Sequence, residues 1–118
     1  MAEAKADAYA SYCGMYLFHR GVVRGTAKAQ VRENIPSAPV QGMDFNFDEE
    51  KVREAIERAK SYPGIYFMKI WLRRGHLNVG EDIMQVLVGG DIRSNVLPAL
   101  EKLVADLKNS CVDEVEIQ

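Results

Sequence analysis

Three cations spread along the chain, Arg24, Arg93 and Lys108, are the side chains best suited to hold an anion. Arg93 falls at or just before the start of a predicted helix. There a guanidinium and the free backbone N–H groups of the first turn could jointly bind a negative group, the plain alternative being a solvated arginine. Lys108 closes the same helix, where an ammonium complements the helix dipole even without a ligand. Arg24 ends the run Gly21-Val22-Val23-Arg24, a strand end that faces solvent in its simplest reading. His19 and His76 stand alone, and a lone histidine is more often packed or solvated than a ligand. The glycine-lysine phosphate loop, the dinucleotide fingerprint, the nucleophile elbow and the H-E-x-x-H helix are all absent. Cys13 and Cys111 are far apart and lack histidine neighbours, so no metal site and no cofactor is expected. Two unpaired thiols are the commoner state in a cytosolic chain, with a disulfide left open.

Local elements must bring such groups together. Tyr12 to Val23 reads as a strand bent at Gly14 and Gly21, and Ala27 to Arg32 as a second strand. Asn34 to Gly42, with Pro36 and Pro39, is a loop. Met43, Phe45 and Phe47 alternate with polar residues, the period of a half-buried strand. A helix follows, capped by Asp48, carrying Glu49 and Glu50 in its first turn and Val52, Ala55, Ile56 and Ala59 on one face, and stopped by Pro63-Gly64. Ile65 to Leu72 is a nearly continuous apolar run and predicts a strand buried on both faces. Arg73 to Glu81 predicts a turn-rich connection, and Asp82 to Val88 a strand ended by Gly89-Gly90. A second helix runs to about Lys108 with Leu97, Leu100, Val104 and Leu107 inward, widened by Val96 and Leu103. Val112 to Ile117 predicts an edge strand. This order lacks strict strand–helix alternation, and so predicts an α+β fold with a mixed or antiparallel sheet and two main helices on one side.

At 118 residues the chain is expected to form one domain over 1–118. Fifteen Lys and Arg against seventeen Asp and Glu give a net charge of −2, which leaves no global basic field for nucleic acid or an anionic membrane. Any anion site must be a local cluster. No apolar run reaches the ~18 residues of a membrane span, and the first ten residues, a short helix or frayed arm, lack the pattern of a signal peptide. A cytoplasmic location is the expectation.

Three stretches carry a resemblance. Leu72 to Glu81 resembles the H-R-x-G-x-L-x-x-G-E segment of the large, catalytic subunit of molybdopterin synthase. Gly14 to Arg24 resembles that family's G-A-x-x-x-F-x-G-x-V-R. Arg93 and Lys108 have the fifteen-residue spacing of its H-R-x-x-A-F…I-D-x-L-K. The resemblance implies an α/β hammerhead-like fold, a homodimer, and a ubiquitin-like sulfur-carrier partner whose Gly-Gly tail ends in a thiocarboxylate. The substrate it implies is a cyclic pyranopterin monophosphate, which takes sulfur to become molybdopterin. Carried over, Lys108 is the catalytic residue, and Arg24, Arg93 and Arg73 bind substrate, a structural role being equally open for Arg73.

The chain departs from that pattern at several positions. Ile92 and Leu72 replace histidines and His19 an aromatic, while Val112 to Val115 stand where the family has a Pro-aromatic-Trp-Lys run. Three readings therefore compete: a sulfurtransferase, a non-catalytic relative that binds a ubiquitin-like partner or a small anionic ligand without turnover, and an unrelated anion-binding domain.

Overall fold

The computed structural model describes residues 2–5, 7–36 and 38–117. Met1, Ala6, Ser37 and Gln118, which fall in the expected N-terminal arm, loop and chain end, lie outside the described residues. In chain order the elements are α1 (Ala2–Lys5), a 3-10 turn at Ala10–Tyr12, β1 (Met15–Val22), α2 (Lys28–Glu33), β2 (Gly42–Phe47), α3 (Glu49–Ala59), β3 (Ile65–Leu72), β4 (Gly75–Asn78), β5 (Asp82–Gly90), α4 (Arg93–Asp106) and β6 (Val112–Ile117). Between α4 and β6 the helix widens into a π turn, Leu107–Cys111. The α+β class and the antiparallel pairing are as expected, but the strands divide between two sheets, ordered β1-β5-β3 and β4-β2-β6. The chain crosses between them at Arg73-Arg74. There the Arg73 N–H donates to the Ile83 carbonyl, and Gly75 adopts a φ of 96° that only glycine takes without strain.

The β2–α3 unit forms as its sequence dictates. Asp48 accepts from the N–H groups of Glu50 and Lys51, and Ala55 and Ala59 face the core. Helix α4 packs mainly on β5 and β1. Its buried line is Val96, Ala99, Leu103 and Leu107, while Leu97, expected inside, is 44% exposed. Gly90 lets the helix come in with Val96 inward, since any Cβ there would come within 2.6 Å of Val96 Cγ2. Close helix–sheet approach, not side-chain size, selects the inner stripe.

Four other expectations need correction. Ala27 to Arg32 is not a strand: residues Lys28–Glu33 form α2, a segment of good helix formers with only Val31 β-branched. The connection after β3 contains β4, paired to β2. Strand β3 is not buried on both faces: α4 packs against one side of its sheet, and Trp71 on the other, outer face is 42% exposed. The glycines after Val88 continue β5 instead of ending it, pairing with Met15 and Tyr16. The core gathers Phe45, Leu77, Met84, Val86, Leu103 and Leu107, joining both sheets to α4.

Candidate functional site

Four cations and two carboxylates surround one cleft of about 220 Å³. Its cations are Arg24, Lys28, Arg32 and Lys108, its carboxylates Glu114 and Glu116, and Met43, Ile83 and Met84 supply an apolar floor. Arg24 arrives on the turn after β1, just past a bulge at Gly21/Val22, and its Nε donates to the Thr26 carbonyl at 3.0 Å. That bond leaves the two terminal nitrogens of the guanidinium for a ligand. Lys108 arrives on the π turn, a local widening that helices often place at functional positions. The turn is anchored by the buried Leu107 and Cys111, and the Cys111 carbonyl accepts from the Asp48 N–H at 2.9 Å.

The structure thus brings Arg24 and Lys108 together and leaves Arg93 and Arg73 elsewhere. Arg93 begins the helix that Lys108 follows, so the two are fifteen residues apart along one axis, roughly 22 Å at the ~1.5 Å helical rise. The negative charge at that helix end is the chain's own. The Asp91 carboxylate accepts from the Asn95 side-chain amide at 2.9 Å and the Ile92 N–H at 2.6 Å, and these bonds hold its pKa below the usual range. Arg73 pairs with Glu81 at 3.1 Å, beside the N–H of Asn78 that also binds this carboxylate. The Asn78 N–H is the main cause, and Arg73 a further one, of the lowered Glu81 pKa. Arg73 therefore braces the corner between the sheets.

His19 lies on the inward face of β1 with Leu17 and Gly21, and its Nε2 is buried without a hydrogen-bond partner. Burial first, and the ammonium of Lys108 second, lower its pKa. The unfolded chain therefore takes up this proton near the ordinary histidine value of about 6.5, and the folded chain only at lower pH. Stability tied to neutral His19 is complete above that value and is lost as pH falls toward the folded pKa. His19→Phe removes the orphaned nitrogen and should raise stability by about 1 kcal/mol at neutral pH. That margin should widen as melting curves are repeated from about pH 7.5 to about pH 5. A constant margin would show that His19 does not titrate this way.

Sequence reasoning missed Lys28, Arg32, Glu114 and Glu116. The i, i+4 spacing of the first two on a helix and the period-2 spacing of the last two on a strand were the available signals. Cys13 and Cys111 are free, and burial pushes the Cys111 thiol up, with Asp106 adding to the shift. Among the described residues no group of three or more His, Cys, Asp or Glu could hold a metal ion, and no helix is long and apolar enough to cross a membrane.

Comparison with known proteins agrees with the resemblance. Residues 1–110 match the family model described as MoaE protein. Among curated proteins, none matches the chain in sequence. A solved structure of molybdopterin synthase from Staphylococcus aureus is similar with a TM-score of 0.73 at 19% identity, covering 90% of this chain and 75% of that one. A complex of subunits 1 and 2 of molybdopterin-converting factor from Helicobacter pylori gives 0.69 at 21% identity, covering 98% and 70%. A molybdopterin biosynthesis MoaE protein from Burkholderia ambifaria gives 0.71 at 17% identity, covering 98% and 77%. At these identities the likenesses establish the fold. The family match stops short of β6, so Glu114 and Glu116 stand outside it.

Proposed function

The chain belongs to the MoaE protein family of molybdenum-cofactor biosynthesis, and from that membership we propose that it is the large subunit of a molybdopterin synthase. In this reading a ubiquitin-like partner inserts its thiocarboxylate tail into the cleft beside a cyclic pyranopterin monophosphate. The thiocarboxylate sulfur bonds to a side-chain carbon of the pyranopterin as a carbon–oxygen bond there breaks, one such displacement opening the cyclic phosphate. Water then adds to the acyl carbon, the acyl–sulfur bond breaks, sulfur stays on the product and the tail departs as a carboxylate. Because a dithiolene holds two sulfurs, two tails are consumed per product. The observation that carries the reading is the convergence of Arg24 and Lys108 on one cleft from distant parts of the chain. Arg24 holds an anionic oxygen, and Lys108 stabilises the charge that develops as sulfur transfers. The likeness to the two-subunit Helicobacter pylori complex supports the partner, and the free thiols suit a cytoplasmic setting.

The same proposal includes a homodimer. Strand register places Phe18, Leu87 and Lys69 in one row and Arg20, Gln85 and Trp71 in the next on the outer face of the β1-β5-β3 sheet. Phe18 remains 55% exposed there, a large apolar side chain suited to contact with a second copy. A second copy also answers the separation of Arg93 from Lys108, since Arg93 of one protomer can serve the cleft of the other.

The test is product formation from purified chain, thiocarboxylated carrier and pyranopterin precursor. If Arg93 acts across the dimer, Arg93→Ala and Lys108→Ala are each inactive alone. After subunit exchange the mixture regains about a quarter of wild-type sites, because half the dimers are mixed and each contains one intact site. No recovery despite exchange would sink the shared-site arrangement. A second reading, a non-catalytic relative, is favoured by Glu114 and Glu116 in the cleft wall and by Ile92 and Val115 at family motif positions, Val115 pointing to the far side of its sheet. It predicts carrier binding with no product.

A further inference from the structure

Two carboxylates stand on the inner face of a sheet. Register sets Glu114 opposite Phe45 and Glu116 opposite Met43, both buried, so the two glutamates share the core-facing side of β6. A half-buried carboxylate in such a place needs a partner, and α2 supplies both. The Glu116 carboxylate accepts from the Lys28 backbone N–H at 3.0 and 3.2 Å, which ties the start of α2 to β6. The Glu114 carboxylate faces the Lys28 ammonium at 3.7 Å. That second pair is loose, since a charge-assisted hydrogen bond closes to about 2.8 Å.

The cations of α2 do more than neutralise β6. Lys28 and Arg32 line the cleft that holds Arg24 and Lys108, and with Lys108 they also line an adjoining cleft of about 380 Å³ beside Asn109. They form a cationic ridge between the two spaces. Four cations against two carboxylates leave an excess of two positive charges around the first cleft, the complement of a phosphate monoester dianion, the form the ligand's phosphate takes once its cyclic diester has opened. The cations come from three elements, so they can meet several oxygens at once, whereas a single carboxylate would engage only one or two.

We propose that α2 is a clamp for the phosphate of the ligand: Lys28 and Arg32 bind it together with Arg24 and Lys108, and Glu114 is the counter-ion that the phosphate displaces from Lys28. The inference rests on the cleft being the anion site of the proposed function. Little is lost in parting Lys28 from Glu114, because the pair is long and Lys28 is about half exposed. Glu114 stays in the wall and repels the incoming anion. A dianion overcomes this by engaging several cations, while a singly charged competitor gains less. Inward charge on an edge strand can also serve only to block edge-to-edge pairing, and that role requires no effect of Glu114 on anion binding.

The experiment titrates the full chain with inorganic phosphate and separately with acetyl-glycyl-glycine, a carboxylate-ended tail mimic, following backbone amide shifts. Phosphate should shift the amides of Lys28, Arg32 and Lys108 and bind more tightly than the peptide. Lys28→Met and Arg32→Gln should each weaken phosphate roughly fivefold, and Lys28→Arg should retain most of the affinity. Glu114→Gln, nearly isosteric, should tighten phosphate roughly threefold and the singly charged peptide by less. Melting curves verify that each variant is folded. Wild-type affinity in both Lys28→Met and Arg32→Gln, or unchanged or weaker binding in Glu114→Gln, overturns the clamp. If Arg24→Ala and Lys108→Ala alone weaken phosphate, the clamp fails while the proposed site stands. If phosphate shifts map away from the cleft, both fail.

Discussion

Lys108→Ala should cut the rate of molybdopterin formation by about a thousandfold, within the range expected when a polar group acting on the reacting atoms is removed. The protein should barely notice the change in stability. Lys108 is exposed on the π turn, where the side chain contributes at most about 1 kcal/mol by complementing the helix dipole. A melting curve close to wild type beside a vanished rate would therefore locate the loss in chemistry. Lys108→Arg refines the assignment. It keeps the charge but spreads it over a planar fork, so it should retain anion binding and lose most of the turnover. If Lys108→Ala works within about threefold of wild type, no transition-state role remains for this ammonium.

The parts of this fold that could be read from residue order are those whose causes lie close together in the chain. Between β2 and α3, the period changes from two to 3.6 at Asp48, which is also the cap, so strand, junction and helix are all specified within a few residues. Helix α2 shows the opposite case. The carboxylate that holds its first turn, Glu116, lies 88 residues away in sequence, and no local pattern announces it. Lys28 and Arg32, four apart, share a face whether the segment is a strand or a helix, but nothing local turns that face toward the cleft, and half of its cations have no signal in residue order. Strand β6 was recognisable as an edge, and its period already put Glu114 and Glu116 together. Which face they share depends on register against β2, which is a tertiary fact.

The same distinction explains α4 and β3. Apolar residues on several sides of α4 make Leu97 look inward by periodicity, whereas the close approach of Val96 to Gly90 of β5 turns Leu97 outward. The nearly continuous apolar run of β3 signals burial, and in this chain one of its faces is left partly open. Arg24 and Lys108 were found from motif spacing and do meet. Arg93 was found the same way, yet it stands at the other end of the helix. Spacing along the chain says nothing of how far apart the fold sets two side chains, and a helix of fourteen residues holds Arg93 and Lys108 at opposite ends.

Leu107→Ala tests how the packing of the π turn reaches the cleft. Leu107 is fully buried and opens the turn that carries Lys108. Truncation leaves a cavity and should cost about 3 kcal/mol, a large share of the ~5–15 kcal/mol available to a domain of this size, with a melting point lower by about 10 °C. Alanine is a strong helix former, so the backbone of the turn should persist while its anchor loosens. Displacing a catalytic group by ~1 Å can cost about a hundredfold in rate, and that loss should be visible well below the melting point. Leu103→Ala is the control. Leu103 is equally buried one helical turn earlier, on the same stripe but outside the cleft. It should destabilise by a similar amount and keep near-normal turnover wherever the protein is folded. Equal rates for the two variants at low temperature would mean that the turn positions Lys108 no more than the rest of α4 does. A low rate confined to Leu107→Ala would tie the π turn directly to the placement of the ammonium.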